Sequence, residues 1–164
     1  DGEHLWVLSA SQLAELRRRS IGYVEQRWNL LDSLTVVENV ALPLELDGTG
    51  SREATRDAMA ALEDVGIAEL ARQFPSSLSG GEQQRAAVAR ALVGTRHVLV
   101  ADEPTGALDA LTAEAVMRLI RGRCDRDGTA VLLATHDPAV AGWADRVVYL
   151  REGQLSDHVA RAAR

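Results

Sequence analysis

The stretch HVLVADEPTGALDALTAEAVMRLIRGRCDRDGTAVLLATHDP, His97 to Pro138, decides the architecture. Two short apolar runs, VLVA and AVLLA, are each closed by polar residues, and a helix-forming segment lies between them. Buried parallel strands joined by a crossover helix have this texture, because both faces of such strands are covered and the run need not alternate. The segment ALTAEAVMRLIRGRCDR predicts the helix, with Met117, Leu119 and Ile120 as its core positions. Chemistry in open parallel sheets gathers at strand carboxyl ends, where Asp102 and Glu103 follow the first run and His136 follows the second. Asp137 and Pro138 read as an N-cap and first helical residue, a structural pair.

Outward from this unit the pattern is mixed. LSASQLAELRRRS predicts a helix with Ser9 and Gln12 in capping-box spacing, and Arg17, Arg18 and Arg19 as its solvated last turn. IGYVEQ predicts a strand ending at Gln26. Thr35 and Glu38 repeat the box signature ahead of VVENVALPLEL, and DGTGS, Asp47 to Ser51, reads as a linker. REATRDAMAALEDVG predicts a helix stopped by Gly66. DRVVYLREGQLSD predicts a strand, a turn at Glu152-Gly153 and a return strand. Trp6 and Trp143 are expected to pack. Trp28 is either part of a partner-facing surface or a satellite core anchor, and the residues leave both open.

Composition narrows the function classes. The 164 residues carry a net charge of −6 and are 46% hydrophobic, which suits a folded domain and argues against a general nucleic-acid or anionic-lipid surface. No apolar run reaches the roughly 18–20 residues of a membrane-spanning helix, so direct membrane insertion is not expected. A single cysteine, Cys124, excludes an internal disulfide. His4, His97 and His158 lack ligand spacing for a metal.

One helix opening asks for a special explanation. In SSLSGGEQQRAAVARALVGT, Ser79 and Glu82 form another capping-box pair, but Gly80 and Gly81 cost about 1 kcal/mol each against alanine inside a helix. Free N–H groups and the positive dipole end make a helix start an anion site, so glycines there fit a phosphate that must come close to the backbone. Asp102 and Glu103 suit different chemistry, in which one carboxylate can hold Mg²⁺ while its neighbour polarises a water. Asp-Glu-Pro is also ordinary turn punctuation, and its residues alone leave both readings open.

LSGGEQQR, VLVADEPTGALD and ATHD, in that order and preceded by IGYVEQ, closely resemble the ATP-binding subunit of an ABC transporter. The resemblance runs from the first helix to the end of the chain. NLLDSLTVVENVALPLEL is similar to the branch serving lipoprotein release and macrolide or peptide export. Such a family implies a P-loop NTPase-type α/β fold, with a mostly parallel sheet and an inserted helical subdomain. The core would be 1–26 and 85–155, the helical subdomain 27–84, and a C-terminal tail 156–164.

By the same resemblance the cofactors are ATP and Mg²⁺. The family dimerises head to tail around two ATP molecules, so Ser79, Gly80, Gly81 and Glu82 would face ATP held by a second ATP-binding subunit, and a side chain at the glycines would hold the subunits apart. Glu103 would be the general base, Asp102 would organise the metal, and His136 would contact the γ-phosphate. Gln26 would reach the metal and water, and Ala107-Leu108-Asp109 would let the halves communicate. The other partner would be a transmembrane permease, placing the chain in the cytoplasm, peripheral to the inner membrane face. Glu25 stands where relatives usually carry an apolar residue.

The chain contains no lysine, so the phosphate-binding G-x-x-x-x-G-K-S/T loop is absent from these 164 residues. The resemblance therefore implies a chain missing its first strands and phosphate loop. Its phosphate-loop strand would lie beside VLVADE, and the chain alone would not hydrolyse ATP. Two alternatives stand beside transport: a soluble, non-transport ABC ATPase, and a non-catalytic module offering its signature turn to a full-length partner.

Overall fold

The structure, a computed structural model, describes residues 5–156. In chain order its elements are α1 (Ala10–Ser20), β1 (Ile21–Val24), α2 (Val36–Leu46), α3 (Ser51–Asp64), α4 (Gly80–Leu92), β2 (Val98–Asp102), α5 (Ala110–Asp127), β3 (Ala130–Ala134), the short α6 (Pro138–Ala141) and the strands β4 (Tyr149–Arg151) and β5 (Gln154–Ser156). His4, His158 and nearly all of the expected 156–164 tail lie outside the described residues.

Local chemistry places most boundaries where the sequence put them. Ser9, Thr35 and Ser79 each close a reciprocal capping box, with Gln12, Glu38 and Glu82 respectively. Asp109 caps α5 by accepting from the Leu111 and Thr112 N–H groups, and Asp137 caps α6. Gly66 and Gly128 follow α3 and α5 with φ of 68° each, the left-handed stop that glycine adopts without a Cβ penalty. Glu152 and Gly153, with φ of 50° and 77°, turn β4 into β5 as two-residue hairpin loops require.

β1, β2 and β3 form a parallel sheet in that spatial order, with Val24 opposite Ala101 and Asp102 opposite Ala134. This corrects the expectation that a phosphate-loop strand would lie beside VLVADE: β2 is central and both of its edges are filled. Among the described residues the open edges belong to β1 and β3.

One face of the sheet is buried and the other is not. Gly22, Val24, Leu99 and Ala101 point into a single apolar core that also takes in Val40, Leu62, Ile67, Val88 and Ile120. α4 packs against α2, α3 and β1, joining the helical part to the sheet. At the crossing point an added Cβ on Gly22 would lie 2.1 Å from the Ala91 carbonyl oxygen, so only glycine lets β1 reach the helix. Across the opposite face Tyr23, Val100 and Leu132 stand in register, with Tyr23 49% and Leu132 66% exposed.

Met117 and Ile120 are buried and Leu119 packs against the core, as the stripe predicts. Trp143 also packs there. Trp6 corrects its expectation: it is 81% exposed. Arg96, buried at the amino end of β2, donates to the carbonyls of Arg18 and Arg19 and so caps the end of α1.

Candidate functional site

β2 and β3 end side by side, and the residues just beyond them meet. Glu103 follows the last residue of β2 and turns with φ of 48°, a left-handed conformation that costs a non-glycine residue about 1–3 kcal/mol. Its N–H donates to the Ala134 carbonyl at 2.9 Å, so the end of β3 holds the turn in place. The turn aims the carboxylate across to β3. There the His136 backbone N–H donates to Glu103 Oε1 at 2.9 Å, and His136 Nδ1 lies 2.6 Å from the same oxygen. Thr135 Oγ1 donates to the other carboxylate oxygen at 3.1 Å and itself accepts from the Asp137 N–H.

The electrostatics follow from these contacts. Burial works against the Glu103 charge, but donors on the His136 ring, the His136 backbone and Thr135 outweigh it and hold the carboxyl below its ordinary 4.5. The Glu103 hydrogen bond and charge raise the His136 imidazole above its ordinary 6.5. An ionised carboxylate only accepts, so Nδ1 carries the proton and Nε2 points away from Glu103. The His136 side chain is 88% exposed and that of Glu103 18%, so the pair presents an imidazole outward and keeps its carboxylate sheltered.

Asp102 is the exposed last residue of β2. Gln26 is also exposed, but β1 ends at Val24, so the glutamine sits in a turn and not on the strand as expected. Since Val24 is level with Ala101, Gln26 lies beyond the same sheet end as Asp102. Mg²⁺ keeps several waters and binds through one or two carboxylates together with substrate phosphates. An exposed Asp102 carboxylate, with the Gln26 amide beyond the same end of the sheet, suits such an ion and does not make an all-protein cage.

The Ser79 turn forms a second group. Ser79 N–H and Oγ donate to Glu82 Oε2 at 2.7 and 2.8 Å, and these bonds hold the Glu82 carboxyl down. Asp109 is held down in the same way, first by the Thr112 hydroxyl. An added Cβ on Gly81 would lie 3.3 Å from the Ala107 carbonyl oxygen, so this turn abuts the Ala107-Leu108-Asp109 loop of its own chain. A Cβ on Gly80 would come within 3.2 Å of the Trp28 indole. The glycine pair thus has neighbours inside the chain besides any it meets outside. Trp28 is half-buried against α4 and donates through Nε1 to the buried Gln84 at 2.8 Å, a contact compatible with either reading of that residue.

Thr135 and Asn39 went unread in the sequence. The first is legible only as the residue before His136. The second is fully buried and binds Leu31, Leu34 and Thr35 backbone groups, which fixes the chain after Gln26.

Residues 4–106 match the ABC transporter domain family. The chain belongs to the ABC transporter family. It is 42% identical over 154 residues to the lipoprotein-releasing system ATP-binding protein LolD of Shewanella sp. (strain MR-4), covering 94% of this chain and 67% of that protein. It is 43% identical over 155 residues to the macrolide export ATP-binding/permease protein MacB of Neisseria gonorrhoeae, of which it spans 24%. Among solved structures, the ATP-binding cassette MJ0796 bound to ADP and Pi superposes with a TM-score of 0.89 at 37% identity, covering 96% of this chain and 69% of that one. The fold is thus that of the ABC ATPase cassettes, a P-loop NTPase-type α/β sheet. No helix among the described residues is long and apolar enough to cross a membrane.

Proposed function

We propose that this chain is part of the ATP-hydrolysing engine of a membrane export complex, working in a head-to-tail pair of ATP-binding subunits and driving a transmembrane permease at the inner membrane face. The observation that carries the reading is the Glu103, His136 and Thr135 network at the carboxyl ends of two adjacent parallel strands. A carboxylate there can take a proton from an attacking water, and the outward Nε2 of His136, when the imidazole is protonated, can donate to a terminal phosphate. Asp102 and Gln26 would hold Mg²⁺, which neutralises phosphate charge when bound. Ser79, Gly80, Gly81, Glu82 and Asp109 would face the nucleotide of the opposite subunit. The homologous cassette MJ0796 is described as dimeric and bound to ADP and Pi, and MacB and LolD by their names serve export and lipoprotein release; both support this assignment.

The lysine-free composition favours a second reading for these 164 residues taken alone: they present the Ser79 turn to a nucleotide carried by another subunit. The test is association of the purified chain with a complete LolD-type cassette whose catalytic glutamate is replaced by glutamine. Complex formation should require MgATP and be lost in Gly81→Asp, and the chain alone should show no turnover. Association indifferent to ATP, or turnover by the chain alone, would refute the assignment. In an assembly with a complete phosphate site, Glu103→Gln should lower turnover roughly 10²–10⁴-fold with nucleotide binding retained.

A further inference from the structure

The segment after Gln26 is held in an unexpected way. β1 ends at Val24, and residues 25–35 pair with no strand among the described residues. Trp28 and Asn29 are both gripped by α4. At the first turn of the helix the Trp28 ring lies over Gly80. One turn on, Trp28 Nε1–H donates to Gln84 Oε1 at 2.8 Å, and Gln84 is 1% exposed. Near the far end, Arg90 forks across two successive carbonyls, donating to Trp28 O at 2.8 Å and Asn29 O at 2.6 Å. Asn29 adopts φ of 48° to present that carbonyl and donates through its own amide to Glu25 Oε1 at 3.3 Å.

These contacts span α4 almost from end to end. A helix is stiff over three turns, and a planar guanidinium on two carbonyls leaves little angular freedom. Gln26 lies two residues before the clamped peptide, and Ser79 is the N-cap of the helix that clamps it. We propose that Trp28 and Arg90 are positioning residues that join Gln26 to the Ser79–Gly81 turn as one mechanical unit. A displacement at Gln26 then reaches the turn without being lost in loop slack. This rests on the reading above that Gln26 and Ser79–Gly81 face nucleotide, one in its own subunit's site and one in the partner's.

The test uses the isotopically labelled 164-residue chain and no nucleotide. Trp28→Phe identifies the Trp28 indole N–H resonance by its loss. Gly80→Ala places a methyl against that ring, and it should shift the indole resonance and the Gln26 and Asn29 amides together. Arg90→Gln should speed amide hydrogen exchange roughly tenfold both at Leu31, beside the clamp, and at Gln83 and Ser79, about two and three turns away along the helix. Arg90→Lys, which offers a point charge in place of a fork, should give an intermediate effect. The capping box at Thr35 and Glu38 should not respond. Should Gly80→Ala leave the indole and Gln26 unmoved, or should Arg90→Gln loosen Leu31 while Ser79 and Gln83 keep their native protection, the latch is wrong. That result would leave the ATP-dependent association untouched, so the two ideas fail separately.

Discussion

Replacing Asn39 by leucine tests how the loop beyond Gln26 is built. The two side chains differ modestly in volume, so the substitution leaves little cavity and isolates the polar loss. Asn39 Oδ1 accepts from the Leu31 N–H at 2.7 Å, and Nδ2 donates to the carbonyls of Leu31, Leu34 and Thr35 at 3.0, 3.1 and 3.0 Å. Each bond is worth about 1 kcal/mol net, and an orphaned buried group costs about 1–3 kcal/mol. Leu31 is 45% exposed, so water will replace part of what its backbone loses. The expected destabilisation is therefore about 2–4 kcal/mol, a large share of the roughly 5–15 kcal/mol typical of a domain. Urea unfolding should show it as a lower midpoint at unchanged slope. Limited proteolysis should open first between residues 27 and 35. A loss below about 1 kcal/mol, with the segment still protected, would refute the claim that this amide organises the loop.

Gly22→Ala should be more damaging than its size suggests, because its methyl would meet the Ala91 carbonyl 2.1 Å away and β1 would have to leave α4; thermal unfolding should report a loss of at least about 3 kcal/mol. Arg96→Met should remove the cap on α1 and cost about 1–3 kcal/mol, read by urea unfolding together with faster exchange in the last turn of that helix. His136 should titrate above its ordinary 6.5 in a histidine-resolved NMR titration, and Glu103→Gln should return it towards that value. The raised imidazole contributes stability below 6.5 that is lost as pH rises through the raised value. The lowered carboxyl contributes above 4.5 and is lost as pH falls through the lowered one, so the pair is fully formed between about 4.5 and 6.5.

What the sequence by itself determined is what short-range chemistry controls. The caps at Ser9, Thr35 and Ser79 are legible because a capping box involves residues three apart. The β2–α5–β3 unit is legible because apolar runs and helical spacing differ in period, and Asp102, Glu103 and His136 could be placed at one sheet end for the same reason. Contacts between segments distant in the chain needed the tertiary structure. Only it shows that β2 is central, that Trp6 is exposed, and that Tyr23 and Leu132 share an uncovered face, since strand order and burial are set by which surfaces meet. The same holds for the Glu103 turn, which depends on β3 standing alongside, and for Gly80, whose neighbour Trp28 arrives from the other end of the helical part. No local rule encodes a hydrogen bond such as the one between Trp28 and Gln84, because its partners are brought together only when the core closes.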